Sequence, residues 1–519
     1  MMPSTTNNRP EVSDDDAATR ESSTSIQPLS LRGKLLRLFF GLTLGLLLSE
    51  LALYVYFGHL VWLPLATAPK YDIDQASIRL AVLGGSTSKG VPYNGALRSA
   101  GFDRDFTLLG TTQLLLELRY GYSNIEVDMY AEGGWPIENA VKCYWETAEF
   151  RPDVMVLYSG HNELASYYSS NMVPPHEALS PLSRTNTGRV LLRDLYRRQA
   201  SGEDLEYRGK FFSQNTLPAY EAAFNKSRYQ NYVIRLIKHC QNEGIFLIVV
   251  VPEGNYLYPP TRSVYRGPQQ RQQEALKRFK QAFYLKYYKQ DDAGARSILE
   301  ELTKICSFAD LSFELGEIHY REGNLEQASK YLNQARELDE FPPVMKNDYR
   351  QLLVELAGRY DVPTIDMHDL ITDRLGVALP DHTCFVDNCH FRLPLYEILA
   401  SEIVRVLRQR QFGRLDLPEK DLTILPRERD EYLGLTEEQI LYCWARAHNW
   451  VAEEASETFP RLPRLETSQR FLQEIQASPP PPSVTRFVDE KLAWVEKEIE
   501  SERVRLLNWI REDNELWEE

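Results

Sequence analysis

Cysteine is scarce in this sequence: six residues in 519, at positions 143, 240, 306, 384, 389 and 443. No two of them form a Cys-x-x-Cys pair, which argues against a zinc ribbon and a thioredoxin-type redox site. Basic charge is in deficit as well. Fifty-nine Lys and Arg stand against 74 Asp and Glu, a formal charge of −15. Phosphate backbones are bound by basic surfaces, so no nucleic-acid partner is expected. No cluster with metal-ligand spacing stands out, and neither a metal nor a cofactor is expected. A phosphate-binding loop is absent too. Lys89 is not preceded by the required Gly and is not followed by Ser or Thr.

What is present begins with length. A chain of 519 residues, 43% of them hydrophobic, can build a sizeable core and more than one domain. Residues 1–31 are polar and rich in Ser, Thr and Asp, a composition that cannot offset ordering entropy; they are expected to form a disordered cytoplasmic tail. Arg32, Lys34 and Arg37 then precede an apolar run from Leu38 to Ala66. That run exceeds the roughly 20 residues a bilayer demands, so residues 36–66 are expected to be a transmembrane anchor. Glu50 interrupts it, and Tyr54, Tyr56 and Trp62 suit the outer interface. The basic cluster predicts a single-pass protein of the cell membrane, with its N-terminus cytoplasmic and everything after Lys70 periplasmic or extracellular. A cleavable signal peptide is the alternative, since Ala66-Thr67-Ala68 resembles a cleavage site. Pro69 and the length of the run weigh against it.

Five short apolar runs follow, Ile78–Leu83, Ile125–Tyr130, Asp153–Tyr158, Ile245–Val251 and Pro363–Met367, with helical patterns between them. Strands alternating with helices imply an α/β fold: a three-layer α/β/α arrangement around a five-stranded parallel, flavodoxin-like sheet. The polar stretch Ser169–Leu217 has no strong period. The body of the fold is expected over 75–265 and 348–411, an inserted helical repeat pair over 266–347, and a helical C-terminal extension over 412–519. In the insertion Tyr287, Ala295, Leu299 and Phe308 recur 33 positions later as Tyr320, Ala328, Leu332 and Phe341. The second copy resembles a tetratricopeptide repeat through Leu315, Gly316, Gly323, Ala328, Ala335 and Pro342. In the extension, Pro479–Pro482 reads as a stiff spacer, and Val488, Leu492, Val495 and Ile499 form one apolar face. That extension shows no catalytic content.

Four stretches carry chemistry. Gly84-Gly85-Ser86 ends the first strand, where two glycines permit a sharp turn and leave a Ser at the start of a helix. Gly133 and Gly134 follow the second strand, and Gly160-His161-Asn162-Glu163 follows the third. Asp387 and His390 stand beyond the fifth. Each alone is an ordinary turn, cap or loop. In a parallel sheet all four converge on one edge, where ligands bind, and together they supply the nucleophile, base, orienting acid and amide donors that acyl transfer requires.

The four stretches resemble the blocks of the SGNH/GDSL hydrolase superfamily. Ser86 matches the block I serine, Gly134 (or Gly133 in a shifted register) the block II glycine, Asn162 the block III asparagine, and Asp387 with His390 the block V Asp-x-x-His. The resemblance covers about Ile78–Arg262 and Val362–Val404. It departs in block I, where Gly85 replaces the usual Asp. The resemblance implies a serine esterase with the triad Ser86, Asp387 and His390, and an oxyanion hole from Ser86, Gly134 and Asn162. It further implies an acyl-ester substrate, acetyl on an envelope carbohydrate or polymer. His161 and Glu163 receive no role. An O-acyltransferase using the same triad, a dead scaffold presenting the insertion to a protein partner, and a lipase are the competing readings. Only Val190–Arg198 offers an amphipathic lid for the last. Cys384 and Cys389 bracket the acid as either a disulfide or two buried thiols.

Overall fold

Strands buried on both faces must be apolar throughout, because helices cover either side of a parallel sheet. The computed structural model describes residues 31–59, 77–91, 107–164, 219–342, 344–433, 462–477 and 482–511, with residue 93 and a few positions between 436 and 452. One all-parallel sheet holds β1 (Ile78–Gly84), β2 (Ile125–Ala131), β3 (Val154–Tyr158), β4 (Phe246–Val251) and β5 (Thr364–Asp366) in the order β2-β1-β3-β4-β5. That order is the doubly wound, flavodoxin-like one, so the carboxyl ends of the strands form the ligand edge.

Side-chain alternation divides the core in two. Leu80, Val82, Val154, Val156, Ile248 and Val250 pack with α3 (Leu108–Tyr120), α11 (Met367–Leu375) and α12 (Leu393–Gln409). Ala81, Leu83, Met155, Leu157, Val249 and Val251 pack with α4 (Ile137–Thr147), α5 (Ala219–Glu243) and α10 (Asn347–Arg359). β1, β3 and nearly all of β4 are buried end to end, and each large aliphatic side chain there contributes about 1.5–3 kcal/mol. The expected strands lie within a residue or so of those observed. β5 is the shortest because Pro363 cannot donate to the ladder and Asp366 already caps α11, accepting the His368 N–H at 2.8 Å.

After β4 come α6 (Gln272–Tyr287), α7 (Asp292–Thr303), α8 (Ala309–Arg321) and α9 (Leu325–Leu338), with α6 packed on α7 and α8 on α9. A salt bridge ties them to the sheet. Glu253, just past β4, is buried against Arg336 of α9 at 2.8 Å and Arg350 of α10 at 3.5 Å. After the short α13 (Pro426–Leu433), the C-terminal helices α14 (Leu462–Ala477) and α15 (Pro482–Arg511) share a hydrophobic cluster with α6, α7 and α8.

One expectation is overturned. Among the described residues no helix is long and apolar enough to cross a membrane. The N-terminal helix α1 spans Leu31–His59, but Arg37 and Glu50 bound an uncharged stretch of only twelve residues. Twelve helical residues span about 18 Å, against about 30 Å of hydrocarbon. The anchor at 36–66, and the cell-membrane, single-pass localisation built on it, are therefore withdrawn. All but the last residue of the expected tail at 1–31, the polar stretch Ser169–Leu217, and Val190–Arg198 within it, lie outside the described residues.

Candidate active site

The nucleophile turn is dictated by close approach. A Cβ on Gly84 would collide with the Tyr158 carbonyl and the Ser88 hydroxyl. A Cβ on Gly85 would lie 2.7 Å from Asn162 Nδ2 and 3.4 Å from the Trp135 carbonyl. Backbone demands glycine at 84, whereas at 85 the obstacle is the end of the Asn162 side chain, and Ser86 then opens the one-turn helix α2 (Ser86–Lys89) with its hydroxyl half-buried. Asn162 Nδ2 occupies the space that a side chain at position 85 would need.

His390 and Asp387 sit in a tight loop. Phe385 pairs with Phe391, Val386 N–H donates to the His390 carbonyl at 2.8 Å, and Arg392 N–H to the Cys384 carbonyl at 2.9 Å. This folds the Asp-x-x-His segment onto itself. Asp387 Oδ1 accepts the Cys389 and His390 N–H groups at 3.0 and 2.8 Å, and Oδ2 lies 2.5 Å from His390 Nδ1. His390 Nε2 lies 2.6 Å from Ser86 Oγ. Burial opposes ionisation of Asp387, but the adjacent imidazole and the two N–H donors outweigh it and hold the carboxyl below its usual range. Thr87 joins the two halves: its hydroxyl donates to the Cys389 carbonyl at 3.3 Å, and its carbonyl accepts from Tyr396 at 3.0 Å.

Asn162 is half-buried, and its Nδ2 donates to the Trp135 carbonyl at 3.2 Å. Gly134 is exposed in the turn before it, at φ +73, a conformation glycine adopts without cost. The Gly133 N–H is given to Glu132 Oε1 at 2.9 Å. His161 and Glu163 are both buried. Met345 N–H donates to His161 Nδ1 at 3.1 Å, which places the ring proton on Nε2, 3.1 Å from the Tyr158 hydroxyl. Burial, and after it the nearby His390, push His161 down to about 3. Burial pushes Glu163 up to about 7.

The sequence left two groups unassigned. Cys384 and Cys389 are buried free thiols, not a disulfide. Asp387, Cys389 and His390 also bring a carboxylate, a thiol and an imidazole within 4.8 Å of one another, a donor set that residue spacing did not reveal. Their carboxylate and imidazole are already engaged with each other and with Ser86. The loop after β4 was the one post-strand loop given no role. Its Asn255 touches the Asp387 loop directly, and the only sequence signal was its position.

No family model matches the chain, so the tetratricopeptide resemblance of 266–347 stands unsupported. No curated protein matches it either. Among solved structures, an acetylxylan esterase from Geobacillus stearothermophilus is similar over 67% of this chain and 99% of its own, at 12% identity and a TM-score of 0.32. A GDSL-like lipase from Bacteroides thetaiotaomicron is similar over 69% and 99%, at 10% identity and a TM-score of 0.29. At identities and scores this low, the reading of function rests on the geometry of the site.

Proposed function

We propose that this protein is an ester hydrolase that works through a Ser86 acyl-enzyme. The observation that carries the reading is the continuous hydrogen-bond line from Ser86 Oγ to His390 Nε2 at 2.6 Å and from His390 Nδ1 to Asp387 at 2.5 Å. In this reading His390 takes the Ser86 proton as the hydroxyl attacks the ester carbonyl, then gives it to the leaving alcohol. Asp387 holds the Nδ1–H tautomer and offsets the imidazolium charge. Water, activated by the same histidine, then cleaves the acyl-enzyme and returns the carboxylic acid. The oxyanion is assigned to the N–H groups of Ser86 and Gly134 and to the Asn162 amide. Gly134 is preferred to Gly133 because the Gly133 N–H is already committed to Glu132.

The finer reading, an acetyl ester on a carbohydrate, follows from the SGNH resemblance. The chain divides in this proposal into a hydrolase body over 75–265 and 348–411, the insertion over 266–347 and the extension over 412–519. The segment leaving the insertion packs closely on the loops after β3 and β4: a Cβ on Gly160 would meet Met345 Cε at 2.8 Å, and one on Gly254 would meet Val344 Cβ at 3.0 Å. The test is labelling of wild type and Ser86→Ala by a fluorophosphonate, followed by acetyl, butyryl and longer aryl esters and an acetylated oligosaccharide. Loss of label in Ser86→Ala is expected. A folded wild type that neither labels nor hydrolyses any ester overturns the reading.

A further inference from the structure

The extension at 462–477 reaches the Asp387 loop through two polar residues that no family block contains. Asn255 lies four residues past β4. Its Oδ1 accepts the Leu257 N–H at 2.9 Å, which fixes the amide orientation and makes Nδ2 the donor. Nδ2 donates to the Asp387 carbonyl at 3.0 Å and to His382 Nδ1 at 2.9 Å. The Asn255 main chain adds a third tie, its N–H donating to the Asn388 carbonyl at 2.8 Å. Asn255 is 3% exposed, so these bonds form out of competition with water, where a misplaced partner is costly.

His382 is held from its other side. Its ring meets Phe471 of α14 edge-on at 5.6 Å between centroids. The Arg392 guanidinium, two residues past His390, lies over the same phenyl ring at 4.7 Å. Phe471 is 3% exposed. Arg464, two turns earlier on α14, donates to the Pro259 carbonyl at 3.0 Å and lies 4.4 Å over the Tyr258 ring. α14 therefore grips the Asp387 loop at residues 382 and 392 and the loop after β4 at residues 258 and 259.

We propose that Asn255 and His382 are a positioning pair for the triad: they set the main chain of Asp387, and α14, through Phe471, sets His382. Neither touches the ester. They act on the 2.5 Å contact between Asp387 and His390, and through it on the imidazole that faces Ser86. The inference rests on the Ser86 esterase reading, and it makes the C-terminal extension part of the catalytic unit.

The test uses the full chain and two readouts, the rate of fluorophosphonate labelling and the kcat and KM for an aryl acetate across pH. Asn255→Asp keeps the acceptor for Leu257 N–H but loses both Nδ2 bonds. His382→Ala loses the acceptor, while His382→Asn places an amide oxygen where Nδ1 was. Expected are losses of about tenfold to 10²-fold in labelling rate and kcat for Asn255→Asp and His382→Ala, with KM unchanged and the acid limb of the pH profile displaced. His382→Asn should recover most of the rate, and Phe471→Leu should give a smaller loss of the same kind. Should His382→Ala melt below the assay temperature, Asn255→Asp against His382→Asn decides by the same outcomes. A wild type that labels, with both Asn255→Asp and His382→Ala labelling equally fast, overturns the positioning pair alone. So does equal loss in His382→Ala and His382→Asn. A wild type that does not label overturns the esterase reading and this inference with it.

Discussion

Glu163 Oε1 accepts the Ile137 N–H at 2.9 Å, at the first residue of α4, and the Ser159 hydroxyl at 3.1 Å. One buried carboxyl thus holds the glycine turn after β2 against the Asn162 segment after β3. The two assigned oxyanion donors, Gly134 and Asn162, are spaced by it.

That carboxyl makes stability depend on pH. Glu163 is pushed up to about 7 from an ordinary 4.5. The folded chain therefore binds its proton more tightly than the unfolded chain, and stability falls as pH rises from 4.5 to 7. The share from this group is on the order of 3 kcal/mol. Glu163→Gln removes it, so the melting temperature of the variant should gain on wild type steadily across that window. A pH-independent difference would sink this account.

Asn162→Ala should lower kcat by about 10²–10³ with KM and melting temperature little changed. Its amide faces the turn at Gly85 and bonds to the Trp135 carbonyl, and it lies outside the apolar core. Unchanged turnover would remove Asn162 from the mechanism.

Gly85→Ala and Gly85→Asp test the close approach of Asn162 to the nucleophile turn. Either Cβ would lie 2.7 Å from Asn162 Nδ2 and displace it. Turnover should drop by up to the full value of that donor, about 10²–10³, while circular dichroism stays native. Unchanged turnover in Gly85→Asp would mean that Asn162 does not need its present place.

Arg336→Ala should destabilise the chain by about 3–5 kcal/mol, because it leaves Glu253 buried with weaker partners. Pairing it with Glu253→Gln should recover much of the loss in a denaturant titration. Additive losses would show that the two residues are not coupled.

Buried neutral histidines set the acid limit. Burial, followed by His390, puts His161 near 3, and burial, followed by Arg470, puts His382 near 4. The folded chain takes up fewer protons at these rings than the unfolded chain. Stability is therefore present above 6.5 and lost as pH falls from 6.5 toward 4. His382→Asn should flatten that acid decline in melting temperature. An unaltered decline would assign it to other groups.

The three central strands were legible because burial on both faces leaves little alternative to near-continuous aliphatic residues, as in Val154–Tyr158, whereas β2 and β5, at the sheet's edges, carry Glu126, Asp128 and Asp366. Their parallel pairing followed from the helices between them. The four chemical stretches were legible for the same topological reason, since each follows a strand and the strands end at one edge. The N-terminal segment was misread because the length of the run from Leu38 to Ala66 was given more weight than the charge of Glu50 that interrupts it.

Composition and periodicity by themselves determined the layers, the sheet and the candidate residues, because these depend on short-range alternation of apolar and polar side chains. Only the tertiary structure decided which side chains meet. Ser86 and His390 stand 304 positions apart and close to 2.6 Å, and Phe471 reaches His382 from an extension with no motif of its own. The thiol state of Cys384 and Cys389, the need for glycine at 84 and the packing of α14 and α15 on the insertion were decided there too. Such contacts are set by how whole elements pack, and no periodicity along the chain encodes a distance across it.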